Sequence, residues 1–426
     1  LDSDLDRDLG LDSLGRAELM LRIDRAFKVR LPDQLLVDAS TPRDLLRALL
    51  AAAPGRIAAM EPLASEFKEL PEVVAPFSAA TLIEVLAHHV HSHGDRPHIW
   101  LWRSEDDEQT ISYADLDRES CSIAAGLIER GLVPGDRVAI MLPTEPAFFS
   151  AFIGVLYAGG APVPVYPPFR RAQVEDHLQR QAGILNNAGA SVLIIGSEIR
   201  NVGQLMLGLA EDLQYVETVD ALSRAGTIER PLAAGADTIA LIQYTSGSTG
   251  DPKGVVLTHA NLLANIRAMG EALDAISSDV FVSWLPLYHD MGLIGAWLGT
   301  LHYGVPTVIM PPLAFLADPG RWLRAIGRHR ATLSAAPNFA FELCCKNVRD
   351  EDIKDLDLSS LRMLVNGAEP VSPATIARFT TRFANYGFPP KAMAPVYGLA
   401  ENSVGLTFPP VGRRPIVDRV QRSALS

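Results

Sequence analysis

Short apolar runs rich in β-branched residues alternate with helix-like segments through most of this chain. The runs are Arg137–Leu142, Ser191–Ile195, Thr238–Gln243, Val305–Met310 and Arg362–Val365. Strands covered by helices on both faces read as continuous apolar runs, and the helices between them return the chain for parallel pairing. The alternation therefore predicts an α/β fold with mainly parallel sheets covered by helices.

Composition and charge narrow the classes of function. The chain has 426 residues, of which 48% are hydrophobic and 21% charged, so it buries a large core and is neither disordered nor collagen-like. Its length favours two or three domains. The net charge of −12 and the lack of a basic block leave no electrostatic footprint for DNA or RNA, so we expect no nucleic-acid partner.

Cysteine and histidine usage gives no sign of a metal or disulfide framework. Cys121, Cys344 and Cys345 lack Cys-x-x-Cys spacing, which favours a reducing, cytoplasmic location. The histidine-rich segment His88–His93 lacks a supporting acidic ligand. We therefore interpret that segment as a solvated helix end.

The longest uncharged stretch, Pro146–Phe169, has the length of a membrane span but is interrupted by glycines and prolines. It predicts a buried helix that leads into a strand, and no transmembrane segment is expected. The first residues show neither the basic start nor the apolar region of a signal peptide.

The first 53 residues read as a small helical module. Apolar residues spaced by three or four predict one helix over Leu14–Phe27. A second is predicted over Thr41–Ala52, with Ser40 or Thr41 as its N-cap. Residues 54–72 contain prolines and mixed charge without a period, as in a linker.

Ser13 stands just ahead of the first of these helices, in the segment GLDSL, where a serine can serve simply as a helix cap. The longer segments DLGLDSLGRAELMLRIDRAF and LPDQLLVDASTPRDLLRAL resemble an acyl carrier protein without its first helix. The resemblance implies that Ser13 carries a 4′-phosphopantetheine arm and that residues 1–53 form a carrier module.

The segment Tyr244–His259, YTSGSTGDPKGVVLTH, follows an apolar run and has the composition of a phosphate-binding loop. Glycines let backbone N–H groups turn toward an anion, hydroxyls add donors, and a lysine adds positive charge. The candidate phosphate-binding residues are Thr245, Ser246, Gly247, Ser248, Thr249, Gly250 and Lys253. Asp251 and Pro252 stand where a Walker motif would begin its Gly-Lys pair, so a P-loop ATPase is disfavoured.

This loop resembles the signature of the AMP-forming ligases: acyl-CoA synthetases, fatty acyl-AMP ligases and peptide-synthetase adenylation domains. The resemblance covers residues 73 to about 410 and implies that the loop holds the β- and γ-phosphates of ATP. NGAEPV resembles the family's adenine loop, and VYGLAE resembles the motif whose tyrosine stacks on adenine and whose glutamate binds Mg²⁺. The implied nucleotide-site residues are Asn366, Gly367, Ala368, Glu369, Tyr397, Gly398, Leu399 and Ala400, with Glu401 as the Mg²⁺ ligand.

A lone histidine in the apolar segment Ser283–Gly304 would by itself be read as a core residue. The resemblance instead implies that His289 lies at the carboxylate of the acyl substrate. The sequence LPLYHDMGL around this histidine resembles the fatty acyl-AMP ligase branch more than the CoA ligases. The apolar residues implied to line an acyl tunnel are Leu293, Ile294, Trp297 and Leu298.

Together these motifs predict a ligase that uses ATP and Mg²⁺ to convert a fatty acid to acyl-AMP. Lys253, His289 and Glu401 are the predicted catalytic residues. Transfer to the phosphopantetheine thiol follows, on the carrier module in cis or on a separate carrier protein.

Three alternatives remain open from the sequence. They are an acyl-CoA synthetase that uses free CoA, an amino-acid-activating domain, and a non-catalytic fragment that binds ATP or acyl chains. The last arises because the family's ribose-binding Asp and C-terminal domain with its catalytic Lys are not found before Ser426. Residues 73–426 are accordingly expected to be a ligase N-terminal domain without its C-terminal domain.

Overall fold

A computed structural model describes residues 41–51, 70–104, 107–168, 174–245 and 253–421. It also describes some single residues of the N-terminal segment: Leu5, Leu19, Met20, Ile23, Phe27, Leu31, Leu35 and Ala39. Ser13, most of the linker and residues 246–252 lie outside this part of the chain.

Two larger sheets and two small hairpins organise the described residues. The strands are β1 (Pro97–Ser104), β2 (Asp107–Ser112), β3 (Arg137–Met141), β4 (Ala161–Pro164), β5 (Ala190–Ile195), β6 (Tyr215–Thr218), β7 (Ile239–Thr245), β8 (Lys253–Thr258), β9 (Phe281–Ser283), β10 (Thr307–Ile309), β11 (Leu333–Pro337), β12 (Met363–Gly367), β13 (Met393–Pro395), β14 (Tyr397–Gly398) and β15 (Gly405–Thr407). The seven-stranded sheet has the order β13-β12-β11-β9-β10-β1-β2 and the four-stranded sheet the order β4-β3-β5-β6. Only the β1–β2 pair is antiparallel in these two sheets.

Helices cover the sheets and connect their strands. They are α1 (Pro42–Ala51), α2 (Leu82–His93), α3 (Tyr113–Glu129), α4 (Pro146–Tyr157), α5 (Val174–Ala188), α6 (Arg200–Leu209), α7 (Val219–Leu222), α8 (His259–Ala272), the π-helix α9 (Met291–Leu298), α10 (Gly299–Tyr303), α11 (Pro312–Ala317), α12 (Pro319–Arg328), α13 (Asn338–Asn347) and α14 (Pro373–Phe383). Short 3₁₀ turns lie at Ser197–Ile199, Ser223–Ala225, Asp350–Asp352, Ala384–Tyr386, Pro390–Ala392 and Ala400–Asn402.

The predicted α/β architecture is confirmed, and each of the five apolar runs overlaps a strand: β3, β5, β7, β10 and β12. One pairing differs from the expectation, because β7 pairs antiparallel with β8 in a hairpin outside both larger sheets. The stretch from Pro146 forms the buried helix α4 and then β4, as predicted. No described helix combines the length and apolarity that a membrane span requires.

The N-terminal helix α1 begins with a reciprocal cap. The Asp44 backbone N–H donates to Thr41 Oγ1 (3.3 Å), and the Thr41 N–H donates to the Asp44 carboxylate (2.9 Å). Of the two predicted caps, Thr41 therefore fills the role. The described residues Leu19, Met20, Ile23 and Phe27 are helical, in agreement with the first predicted helix.

The end of α2 corrects the interpretation of the histidine-rich segment. His91 is exposed, but His89 is fully buried and its ring stacks on Tyr113 at 4.6 Å. Tyr113 stacks on buried His98 from its other side, at 4.8 Å. Burial, followed by the neighbouring His93 and His88, lowers the pKa of His89 to about 3, so the ring is neutral at physiological pH. Among the described residues no group of His, Cys, Asp and Glu could hold a metal ion.

A buried ion pair fixes the amino ends of three neighbouring strands. Asp279 is 2% exposed and precedes β9, while Arg362 and Thr332 directly precede β12 and β11. Asp279 Oδ1 accepts hydrogen bonds from Thr332 Oγ1 (2.6 Å) and Arg362 Nε (2.7 Å). The Ile276 N–H donates to Asp279 Oδ2 (3.0 Å), so both carboxylate oxygens are satisfied within the sheet edge.

We predict that Asp279→Ala destabilises the α/β part by about 3 kcal/mol, because it leaves Arg362 partly buried without its partner. Asp107→Ala is the matched control, since the Arg103–Asp107 pair is exposed on both sides and should contribute less than about 1 kcal/mol. Urea unfolding followed by fluorescence of the buried tryptophans measures both. Equal stability of the two variants would contradict the assigned role of Asp279.

Candidate active site

The carboxyl ends of parallel strands bring three predicted motifs to one edge of the seven-stranded sheet. Pro337 at the end of β11 pairs with Gly367 of β12, and Asn366 of β12 pairs with Pro395 of β13. The segment containing His289 leaves the carboxyl end of β9, which pairs parallel with β11. This edge is where α/β sheets bind ligands, because the connecting loops leave the strands there.

The adenine-loop candidates begin inside the sheet and end in solvent. Asn366 is fully buried, and neither atom of its side-chain amide has a hydrogen-bond partner among the described residues. Ala368 has φ of +67°, a left-handed conformation that is uncommon outside glycine and is concentrated at functional sites. Glu369 Oε1 accepts a hydrogen bond from the Phe339 N–H at the start of α13 (2.6 Å). The described contact of Glu369 thus caps a helix.

The second nucleotide motif forms a hairpin of β14 and β15. Tyr397 is 61% exposed, which excludes its reading as a core aromatic and leaves its ring free to stack on a planar ligand. A Cβ at Gly398 would lie 1.9 Å from the Val404 carbonyl oxygen, so this close approach requires glycine. Ala400 is buried and Leu399 half-buried, while Glu401 is exposed on the following 3₁₀ turn.

The β7–β8 hairpin carries the predicted phosphate loop. Thr245 ends β7 and pairs directly with Lys253, which begins β8. Thr245 is half-buried and Lys253 is exposed. Ser246, Gly247, Ser248, Thr249 and Gly250 lie between them, outside the described residues. The hairpin therefore places one hydroxyl and one cation at the two ends of the loop.

His289 lies on the segment between β9 and α9, with half of its side chain exposed. Its Nδ1 lies 2.8 Å from Asp290 Oδ1, which also accepts the Met291 N–H (2.6 Å). Desolvation acts to lower the pKa of His289, but the hydrogen bond and the charge of Asp290 outweigh it, so the pKa is raised. The Asp290 carboxylate therefore favours the protonated ring, and Nε2 is the ring nitrogen that Asp290 does not contact.

A cavity of about 240 Å³ lies beside His289. It joins the end of β7, the His289 segment, the residues after β4 and one side of α5. Its lining residues are Pro164, Val165, Tyr166, Arg180, Ile184, Gln243, Tyr244, Thr245, Tyr288, His289 and Asp290. Of the predicted site residues this cavity brings together Thr245 and His289, and its described lining does not include Lys253, Asn366, Tyr397 or Glu401.

Gln243 connects the two main walls of the cavity and was not among the predicted site residues. Its Nε2 donates to the Tyr288 carbonyl oxygen (2.9 Å), which ties β7 to the residue before His289. Gln243 is 2% exposed, and its Oε1 has no partner among the described residues. The signal in the sequence was a single amide at the end of an otherwise apolar run.

The residues predicted to line an acyl tunnel do not line this cavity. Leu293, Ile294, Trp297 and Leu298 are fully buried. The Trp297 ring packs against Phe149 of α4 with centroids 4.9 Å apart, and against Phe152 at 5.4 Å. They belong to the hydrophobic core, because α9 runs between the sheet and α4 rather than along its surface.

The donors present fit an adenine nucleotide with a divalent cation. The Asn366 amide is buried without a partner among the described residues, and the Val396 N–H, next to exposed Tyr397, donates to the Asn366 carbonyl oxygen (2.9 Å). Lys253 offers a cation for phosphate. Glu401 supplies an exposed carboxylate, the ligand type that Mg²⁺ prefers together with phosphate oxygens.

Comparison with known proteins agrees with this chemistry. Residues 86–423 match the family model described as AMP-binding enzyme, and residues 1–49 match the phosphopantetheine attachment site. The chain is 35% identical over 362 residues to a medium-chain-fatty-acid–acyl-carrier-protein ligase of Teredinibacter turnerae, covering 75% of this chain and 56% of the relative. It is 37% identical over 327 residues to a long-chain-fatty-acid–AMP ligase of Mycolicibacterium smegmatis, covering 74% and 51%. The chain thus spans about half the length of these relatives.

Solved structures give the same picture. A fatty acyl-adenylate ligase from L. pneumophila, in complex with acyl adenylate and pyrophosphate, superposes with a TM-score of 0.73 at 32% identity, covering 82% of this chain and 59% of that one. The adenylation domain of a keto acid-selecting peptide-synthetase module, bound to keto acyl adenylate, gives 0.71 at 26% identity, covering 79% and 61%.

We predict that Asp290→Asn lowers the pKa of His289, because desolvation then acts without the opposing carboxylate charge. Asparagine keeps an acceptor for the Met291 N–H, so the local turn is preserved. NMR titration of the His289 ring, assigned with His289→Gln, measures the change. The protonated fraction at neutral pH should fall in Asp290→Asn and stay close to the parental fraction in Asp290→Glu. An unchanged pKa in Asp290→Asn would contradict the ion pair as the cause.

Proposed function

Because this chain belongs to the AMP-binding enzyme family, we propose that the protein activates a fatty acid with ATP to form acyl-AMP. The acyl group then passes to a phosphopantetheine thiol attached to Ser13. The observation that carries the proposal is the cavity that Thr245, at the start of the glycine-rich loop, shares with His289. A residue of the proposed phosphate loop and an imidazole whose protonated form Asp290 favours lie on one cavity, as a reaction between a carboxylate and ATP requires.

The proposed first step joins two anionic reactants. A carboxylate oxygen attacks the α-phosphorus of ATP, and the bond from that phosphorus to the bridging oxygen of pyrophosphate breaks. The protein must offset the repulsion between the reactants and the charge that develops on the leaving group. In the second step a thiol sulfur attacks the acyl carbon, AMP leaves with the anhydride oxygen, and the thiol proton is released.

His289 is the proposed contact of the fatty-acid carboxylate. Asp290 raises the pKa of its ring, which favours the protonated form that attracts a carboxylate. With Nδ1 directed to Asp290, Nε2 is the nitrogen available to the substrate. Gln243 keeps this segment in position through its bond to the Tyr288 carbonyl.

Lys253 and the loop from Thr245 to Gly250 are the proposed phosphate contacts. Lys253 offsets charge on the departing pyrophosphate, and the loop hydroxyls and N–H groups add donors. Glu401 is the proposed Mg²⁺ ligand, and that ion supplies further positive charge to the phosphates when bound.

The proposed adenine site is built from the two remaining motifs. Tyr397 stacks on the base, with Gly398, Leu399 and Ala400 forming the hairpin that carries it. Asn366, Gly367, Ala368 and Glu369 form the opposing loop. The Asn366 amide, which has no partner among the described residues, supports this placement, because a buried amide without partners is costly unless a ligand completes its hydrogen bonds.

Three observations favour a fatty acid and a carrier over an amino acid and free CoA. Apart from Arg180 and the His289–Asp290 pair, the described part of the cavity lining carries no charged residue to meet a substrate amine. The relatives named above are ligases of fatty acids. The phosphopantetheine match lies in the same chain and supports residues 1–53 as the carrier, while the AMP-binding match supports residues 73–426 as the ligase domain. Residues 54–72 are the proposed linker, and the proposed location is cytoplasmic.

We predict that Lys253→Ala and Glu401→Ala each reduce acyl-AMP formation in the protein at its native length. Loss of one charge-assisted contact should cost about 1.5 to 3 kcal/mol, or roughly ten- to a hundredfold in rate. Fatty-acid-dependent exchange of pyrophosphate into ATP, at limiting ATP and Mg²⁺, measures the effect. Lys354→Ala and Glu229→Ala, both exposed and outside the site, are matched controls. Parental rates in both site variants would overturn the assignment.

We further predict that a phosphopantetheinyl transferase adds one arm to this protein and that Ser13→Ala abolishes the addition. Intact-protein mass spectrometry should then detect an ATP-dependent acyl thioester on the parent protein only, while Ser13→Ala retains acyl-AMP formation. Ser40→Ala is the control within the same module. Modification of Ser13→Ala would contradict the carrier assignment, and efficient release of acyl-CoA with free CoA would favour the acyl-CoA synthetase alternative.

A further inference from the structure

One apolar cluster contains residues from both the N-terminal module and the α/β part. Its buried members from the module are Leu5, Met20, Leu31, Ala39 and Leu45. The remaining buried member is Ala317, which lies on α11 and is 8% exposed. A small helical module cannot bury much surface by itself, so a partner surface that completes its core is physically significant.

The α11 helix presents an apolar face to this cluster. Leu313, Leu316 and Ala317 are spaced at i, i+3 and i+4, which places them on one side of the helix. Leu313 and Leu316 are half-buried and pack against the cluster. Phe315 points the other way, into the α/β core, where it is fully buried.

The α1 helix presents the complementary face. Leu45 is buried in the cluster, and Ala48 and Leu49, at i+3 and i+4 from it, pack against it. Leu46 and Leu50 lie on other sides of the helix and are 41% and 78% exposed. The helix therefore packs one apolar side against the cluster and exposes the leucines on its other sides to solvent. Leu50 is for this reason a matched control for Leu49.

We propose that α11 is a docking surface for the carrier module in cis. Leu313, Leu316 and Ala317 form this surface, and they pack against the face of α1 that carries Leu45, Ala48 and Leu49. The contact holds the module on the ligase domain in addition to the covalent linker. Tethering alone gives a high effective concentration, and a weak apolar contact adds to it by limiting where the module resides.

A single layer of aromatic rings separates the docking surface from the candidate active site. Phe315 of α11 stacks on Trp284, with ring centroids 3.9 Å apart and planes 9° from parallel. Trp284 begins the segment that carries His289, and its ring also contacts Phe339 at 6.0 Å. The Phe339 N–H donates to Glu369 of the adenine loop. A module seated on α11 therefore lies against the element that supports both proposed substrate contacts.

The position of the contact is tested first without catalysis. Cysteines are introduced at Ala48 and Leu313 in a chain in which Cys345, the half-buried native thiol, is changed to serine. A short bis-maleimide should link Ala48→Cys to Leu313→Cys within one chain, detected by intact mass and peptide mapping. The pair Leu50→Cys and Leu313→Cys is the matched control and should link at least about tenfold more slowly. Equal linking of the two pairs would overturn the docking surface.

The consequence of docking rests on the proposed function and is tested by loading. Leu49→Glu on the module and Leu316→Glu on α11 should each slow acylation of the arm in cis by about tenfold or more, whereas Leu50→Glu should not. Pyrophosphate exchange should be unchanged, because none of these residues belongs to the active site. The rate of arm addition to Ser13 shows whether Leu49→Glu leaves the module folded, and Leu316→Glu leaves the module sequence intact.

The two failures are distinguishable. If the parent shows no fatty-acid-dependent exchange, the proposed function fails, and the crosslinking result still decides the docking surface. If the parent exchanges and loads normally but Leu49→Glu and Leu316→Glu both load at the parental rate, the docking proposal fails and the proposed function stands.

Discussion

Parallel pairing of β9, β11, β12 and β13 is the constraint on which the candidate site depends. Because parallel strands end at the same edge, segments far apart in sequence are delivered side by side: the His289 segment, the start of α13, the Asn366–Glu369 loop and the Tyr397 hairpin. The amino ends of three of these strands are fixed by Asp279, Thr332 and Arg362. A charged network at one end and ligand-binding loops at the other give a rigid sheet with one functional edge.

Buried polar groups without hydrogen-bond partners among the described residues lie at the candidate site. The Asn366 amide and Gln243 Oε1 are buried without described partners, and Ala368 holds an unfavourable backbone conformation. Such features cost stability and persist where a ligand uses them. The Asp290 carboxylate favours the protonated ring of His289, and Nε2 of that ring is the nitrogen that can donate to an anionic substrate. These features occur on three separate chain segments, and each lies at a motif or cavity already identified by independent observations.

The sequence predicted the fold class and five of the fifteen described strands, because apolar β-branched runs indicate burial on both faces, which is a local property. It did not predict that β7 pairs antiparallel with β8 outside the two larger sheets, because the apolar pattern of a strand does not indicate which strand it pairs with. The role of Gln243 was not predicted, because one amide at a strand end is only a weak signal in the sequence and its hydrogen bond to Tyr288 is visible only in the structure. The burial of His89 was not predicted, because a run of histidines does not reveal which ring is stacked on Tyr113. The sequence also does not reveal that the Trp297 ring packs against Phe149 of α4.

The fate of the carboxylate oxygen tests the central claim most directly. A fatty acid with both carboxylate oxygens labelled with ¹⁸O is incubated with ATP, Mg²⁺ and the phosphopantetheine-bearing protein at its native length, and the nucleotide products are analysed by mass spectrometry. Attack of the carboxylate on the α-phosphorus predicts AMP that carries one ¹⁸O atom, together with unlabelled pyrophosphate. Unlabelled AMP, or ADP with labelled orthophosphate, would contradict acyl-AMP formation at this site.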